Sequence, residues 1–215
     1  MSIQALIHQL ELQLQQPLPG RSAQYKMAHV IRKKDIPVPN HARKACVLLL
    51  LYPKNGETYL ALIERMSTNK DDRHSGQISF PGGKLEAEDA SYQAGALRET
   101  HEEVGIAPEK IQVLGALTDL YIPVSNFLVF PFVGYLNENP QFVAQPSEVK
   151  TIVETPLALL QDPANLQYTN LRIKEGLLKD VPYFNVFGHI VWGATAMMLS
   201  EFLHLVEAAH LPKNS

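Results

Sequence analysis

Cysteine is almost absent from this chain: Cys46 is the only one in 215 residues, which excludes an internal disulfide. It stands inside "ACVLLLLY", where a thiol is expected to fill a core rather than act as a nucleophile. No apolar run approaches the roughly 18 residues that a bilayer-spanning helix needs. The first twenty residues also lack the charged start and apolar stretch of a secretion signal, so the expectation is a soluble, cytoplasmic protein with no membrane partner. An excess of positive charge is missing too. With a net charge of -3, nucleic acid is not expected as the main partner. Internal repeats and low-complexity tracts are absent.

What remains is 46% hydrophobic content over 215 residues, enough for one sizeable core, and the chain reads as a single domain with a small N-terminal appendage. Ile3, Leu6, Ile7, Leu10 and Leu14 recur at helical spacing until "PLPG" stops them, so residues 1–20 are expected to form an amphipathic helix and linker before a domain over 21–215. Docking on the domain is the expected use of that helix, and a homodimer contact is the alternative. Strands are expected at about 45–52, 58–65, 111–118, 128–136, 148–155 and 181–192, and helices at about 90–103, 157–161 and 194–209. Strands mixed with a few helices in no regular alternation indicate an α/β or α+β sandwich rather than a doubly wound sheet. "PGRSAQ" and "LPKNS" are expected to be loosely ordered. Trp192 and Phe187, just before the last helix, read as core residues.

The helix over 90–103 carries the chemical signal. At about 100° per residue, with Glu99 at zero, Glu102 falls near 300° and Glu103 near 40°, one stripe roughly 100° wide. Leu97 and Val104 fall opposite, which predicts an aliphatic buried face and a carboxylate face. Like charges at these spacings each cost an isolated helix a few tenths of a kcal/mol, and no lysine is interspersed to relieve them. Arg98 flanks the stripe and is placed to orient a carboxylate. A divalent cation would reverse the repulsion, since Mg²⁺ prefers hard oxygen ligands and keeps its other positions for water and phosphate. Before the helix, "FPGGK" supplies Gly82 and Gly83, which let backbone approach a ligand closely. Asp89 is expected at the helix N-cap and Gly105 just past its C-terminus. Gly95 on the stripe is expected to leave room for metal and a diphosphate.

At these residues "GGKLEAEDASYQAGALRETHEEVGI" resembles the signature box of the Nudix hydrolases, which cleave nucleoside diphosphates linked to another group. Its core here is Arg98, Glu99, Glu102, Glu103 and Gly105. The resemblance implies an α/β/α sandwich with a mixed central sheet over 21–215. It also implies Mg²⁺ or Mn²⁺ on Glu99, Glu102, Glu103 and Gly83, with Arg98 in the catalytic set. Gly83 to Arg98 is one position longer than the usual box, so the upstream glutamate is replaced by Asp89 on counting forward or by Ala90 on counting back. This expansion, with "FPGGK", "LTDLYIPVSNFLVFPFVGY" and "VWGATAMMLSEF", is similar to the coenzyme A pyrophosphatase branch of the family. Between Arg65 and Gly76, "MSTNKDDRHS" is about two residues longer than that branch carries.

The branch resemblance implies conversion of coenzyme A to 3′,5′-ADP and 4′-phosphopantetheine. A cation away from the metals would then hold the 3′-phosphate, and Arg65, Lys70 and Arg73 are the candidates. His74, beside Arg73, is a further substrate-phosphate candidate. Glu148, outside the box, is expected to serve as base or extra ligand, so the general base is Glu103 or Glu148. Glu86 and Glu88 read either as ordinary polar loop residues or as supports behind the site's ligands, His101 reads as a solvated helix residue, and "HSGQ" lacks the pattern of a serine nucleophile. ADP-ribose, dinucleotides and nucleoside triphosphates are the alternative substrates. A non-catalytic nucleotide-binding module is the alternative class.

Overall fold

The computed structural model describes residues 2–29, 36–66, 76–174 and 176–210. Strand β1 (Arg43–Lys54) lies at the centre because its run of aliphatic residues is buried on both faces. One of its edges pairs in parallel with β7 (Phe127–Tyr135) from residue 43 to 51. The other edge is divided antiparallel: β4 (Gly82–Lys84) covers 45–47 and β2 (Glu57–Arg65) covers 51–54. Strand β2 also carries β3 (Ile78–Ser79) and β8 (Val149–Pro156), while β7 carries β5 (Gln112–Ala116) and β6 (Leu120–Ile122). The sheet is thus mixed, as expected.

Alternation along β1 sends Cys46, Leu48, Leu50 and Tyr52 into one core with Ala96 and Val104 of helix α3 (Tyr92–Val104). Leu49 and Leu51 enter the opposite core with Met197, Phe202 and Val206 of α5 (Gly193–His210). The result is an α/β/α arrangement. Helix α1 (Ile3–Leu14) buries Leu6, Ile7 and Leu10 in the α5-side core, and Ser2 caps it by accepting from the Ala5 N–H at 3.2 Å. Among the described residues, no helix is long and apolar enough to cross a membrane.

Several expectations are corrected. "PGRSAQ" is ordered: α2 (Arg21–Gln24) lies within it, and it is held to the body by Glu201, a fully buried carboxylate of α5. Glu201 accepts from the Gly20 N–H at 3.1 Å, Gln24 Nε2 at 2.8 Å and Thr118 Oγ1 at 2.7 Å. "LPKNS" lies outside the described residues. The run expected at 181–192 is a hairpin, β10 (Gly176–Val186) and β11 (His189–Trp192), turning at Phe187 and Gly188, both with positive φ. Phe187 is therefore 63% exposed rather than core, while Trp192 is half-buried. Strand β9 (Leu166–Ile173) was not expected. It joins β10 and β11 in a separate three-stranded sheet, and its "LQYTNLRI" mixes polar and apolar residues too evenly to mark a buried face. The short helix α4 (Leu157–Gln161) lies where expected.

Candidate active site

Helix α3 starts one turn into the box loop. Its N-cap is Ser91, whose hydroxyl accepts from the Ala94 N–H at 3.1 Å, not Asp89. Gly105 closes it with φ 74°, a left-handed conformation that glycine adopts without strain, and donates to the His101 carbonyl. The buried side of α3 is Gly95, Ala96, Thr100, Glu103 and Val104. The carboxylate stripe is thus not opposite the packed face but overlaps it: Glu103 points at the sheet, Glu102 is half in solvent, and His101 is exposed as expected.

Gly82 and Gly83 make that inward carboxylate tolerable. Strand β4 is wedged between β1 and α3, and Gly82 has φ 149° with its α-carbon against the backbone of Cys46 and Val47, where a Cβ would collide. A Cβ on Gly83 would overlap the Glu99 carboxylate. The tight approach aims the Gly82 N–H at Glu103 Oε2, at 2.7 Å. Arg65, at the end of β2, places Nη1 3.3 Å from Glu103 Oε1 and 3.4 Å from the Gly82 carbonyl. Glu103 is 1% exposed, and burial pushes its pKa up to about 7. The Gly82 N–H and Arg65 oppose that rise, and the charges of Glu99 and Glu148 add to it.

Arg98 organises the outer part of the cluster. Its Nε and Nη2 donate to the two oxygens of Asp89 at 2.9 and 3.0 Å, and Nη2 also reaches the Lys84 carbonyl. That leaves Nη1 to bridge Glu99 Oε1 at 3.0 Å and Glu102 Oε2 at 2.9 Å. Asp89, 4% exposed, is held below the usual carboxylate range by the Arg98 hydrogen bonds, and it also accepts from the Glu86 N–H. Counting forward from Gly83 therefore finds the upstream acid. A sequence signal for it exists only as an aspartate in a loop, which also fits a cap. Burial raises Glu99, against Arg98.

The remaining candidates fall unevenly. Gly95 is buried and leaves no open room: a Cβ there would press on Asp89, Cys46 and Leu85, so the residue serves the close approach of α3 to β1. Cys46 is buried, which pushes its thiol up to about 11 and keeps it inert, as expected. Glu148 is exposed and stands just before β8, where its carbonyl accepts from the Met66 N–H at 2.7 Å and its charge is felt by Glu99 and Glu103. Arg65 was expected away from the carboxylates, on a 3′-phosphate, yet it stands on Glu103. Lys70, Arg73 and His74 lie outside the described residues. Glu86 and Glu88 are exposed loop residues.

Among the described residues, no three histidine, cysteine or carboxylate side chains are already arranged around a common metal position. The donor set nevertheless suits a hard divalent cation: Glu99, Glu102 and Glu103 supply carboxylate oxygens over a glycine cradle, and the guanidinium groups of Arg98, which is also paired with Asp89, and of Arg65 offset only part of their charge.

Comparison with known proteins agrees. The NUDIX domain profile matches residues 42–173. NudL of Photorhabdus laumondii subsp. laumondii, described as an uncharacterized Nudix hydrolase, is 35% identical over 165 residues, 77% of this chain and 86% of that protein. NudL of Citrobacter koseri is 36% identical over 161 residues, 74% of this chain and 81% of its own. Among solved structures, a MutT/nudix family protein from Enterococcus faecalis has TM-score 0.53 at 14% identity, covering 87% of this chain and 73% of its own. The M. smegmatis Nudix hydrolase RenU has TM-score 0.51 at 15% identity, covering 81% and 91%. At such identities the structures speak for the fold, which they share. Since the profile spans over half of the chain and the NudL relatives exceed 30% identity, this chain belongs to the Nudix hydrolase family and is a pyrophosphohydrolase of nucleoside diphosphate derivatives.

Proposed function

We propose that the enzyme hydrolyses the diphosphate bond of coenzyme A or its derivatives, giving 3′,5′-ADP and 4′-phosphopantetheine, with Mg²⁺ or Mn²⁺ as cofactor. The observation that carries the chemistry is Glu103, buried yet ionisable near neutral pH, beside Glu99 and Glu102 fixed by one arginine. Glu99, Glu102, Glu103 and the Gly83 backbone would hold the cation, which when bound screens the diphosphate charge and acidifies a water. Arg98 keeps Glu99 and Glu102 in register and is itself fixed by Asp89. The proton of the attacking water is taken by Glu103 or by exposed Glu148, whichever is not committed as a ligand. No covalent intermediate is required.

The substrate reading is supported by the one-residue expansion of the box, by "FPGGK" and by the two downstream stretches. The stretch 117–135 contains β6 and β7 and stacks Phe130 on Tyr92 at the start of α3, ring centroids 3.8 Å apart, and 191–202 runs into α5, where Thr195 Oγ1 donates to the Ile78 carbonyl at 3.0 Å, just ahead of Phe80–Gly83. With Arg65 engaged at Glu103, Lys70 and Arg73 are the candidates for the 3′-phosphate, and His74 for a neighbouring phosphate oxygen. The deciding measurement is kcat/KM on coenzyme A, its analogue lacking the 3′-phosphate, ADP-ribose and a nucleoside triphosphate. Coenzyme A should exceed the dephosphorylated analogue by ~10-fold or more, and Arg73→Ala should erode that preference. Faster turnover of ADP-ribose or a triphosphate would overturn the substrate and leave the Nudix chemistry intact.

A further inference from the structure

The two arginines at the carboxylates are held in different ways. Arg98 is locked by three partners besides the glutamates: both oxygens of Asp89 and the Lys84 carbonyl. It also spares one oxygen of each glutamate it touches. Among the described residues, Glu99 Oε2 and Glu102 Oε1 accept no hydrogen bond, so both side chains can ligate while Arg98 stays in place. Glu103 differs, because both of its oxygens are engaged. Oε2 accepts the short bond from the fixed Gly82 N–H, and Oε1 faces Arg65. Among the described residues, Arg65 reaches it through a single nitrogen at 3.3 Å, with its second contact, to the Gly82 carbonyl, at 3.4 Å. Both lie beyond the usual range for a charge-assisted bond.

The Arg65 backbone, by contrast, is pinned: its N–H donates to the Gln77 carbonyl at 3.0 Å and its carbonyl accepts from the Gly76 N–H at 2.8 Å. A fixed backbone with a loosely held, 26% exposed side chain describes a group that can swing without disturbing the sheet. When Glu103 is ionised and no metal is bound, a neighbouring cation offsets the cost of a carboxylate at 1% exposure. We propose that Arg65 is an exchangeable counter-ion of Glu103, seated on Oε1 in the metal-free enzyme and displaced from it by the incoming divalent cation. Each metal-binding event at Glu103 then frees a guanidinium at the mouth of the site. The inference rests on the reading of Glu103 as a ligand.

The test is Mg²⁺ titration by calorimetry at pH 8.5, without substrate, on the full chain. Arg65→Gln keeps a hydrogen-bonding side chain and removes the competing charge, so Mg²⁺ should bind about three- to tenfold more tightly, the scale of a partly exposed ion pair. Its metal-free melting temperature should fall, and Mg²⁺ should restore it. Arg65→Lys, which keeps the charge, should bind Mg²⁺ close to wild type, and it covers the case in which the glutamine variant does not fold: lysine binding Mg²⁺ well below wild-type affinity would then overturn the proposal. Arg65→Gln should have no effect on Mg²⁺ binding in a Glu103→Gln background. Unchanged or weaker Mg²⁺ binding in Arg65→Gln overturns the counter-ion. If Glu103→Gln alone binds Mg²⁺ like wild type, it is the ligand reading of Glu103 that fails, and the proposal falls with it.

Discussion

Glu103 concentrates the electrostatics of this protein in one side chain. Its carboxyl would ionise at 4.5 in an unfolded chain and does so at about 7 in the fold, burial being the largest cause. Between those values the native state binds the extra proton, so stability must fall as pH rises from about 4.5 to 7, by on the order of 3 kcal/mol in the metal-free protein. The depressed Asp89 acts oppositely and in a lower window, losing its contribution only on acidification through and below its ordinary value of 3.8. Denaturant melts of the metal-free enzyme between pH 5 and 8 should therefore show a decline that Glu103→Gln flattens. The same substitution should lower turnover by about 10² to 10⁴ with the fold intact, since a base or ligand is lost. Near-wild-type turnover in the folded variant would remove Glu103 from the chemistry.

Helix α3 separates two jobs that sequence alone assigns to one residue. Ser91 starts the helix and Asp89 fixes Arg98, although either residue type can cap. Ser91→Ala should cost about 1 kcal/mol in urea melts and leave kcat/KM near wild type. Asp89→Asn removes the charge that orients the guanidinium, and it should cost about 10- to 100-fold in kcat/KM or metal affinity, out of proportion to any lost stability. If both substitutions depress stability and activity in the same ratio, Asp89 is only structural. The element was legible because its period, its Pro-Gly-Gly lead and its closing glycine are local. Asp89's partner lies nine residues on, and a helical period does not extend into a loop.

At the scale of the whole molecule, metal and the N-terminal helix should each be visible in thermal stability. Millimolar Mg²⁺ or Mn²⁺ should raise the melting temperature, because the unfolded chain has no formed site, and the shift should shrink in Glu99→Gln. An equal shift in both proteins would place the metal elsewhere. Leu10 of α1 is fully buried in the α5-side core, so Leu10→Ala should cost about 2–5 kcal/mol. A loss well below that range would mean the helix docks only loosely on the domain.

Local pattern by itself determined the carboxylate helix, the buried central strand with its hairpin partner, and the amphipathic start, because periodicity and turn chemistry act over a few residues. Only the tertiary structure decided which side of α3 is covered. Gly82 and Gly83 let β4 in so close that Glu103 turns toward the sheet, and Gly95 packs tightly against Cys46, Leu85 and Asp89, against the expected polar face. The pairing of Arg65 with Glu103, and of Glu201 with Gly20, Gln24 and Thr118, was equally out of reach. Such contacts join residues far apart in the chain, and a buried charge takes whichever partner the packing brings to it.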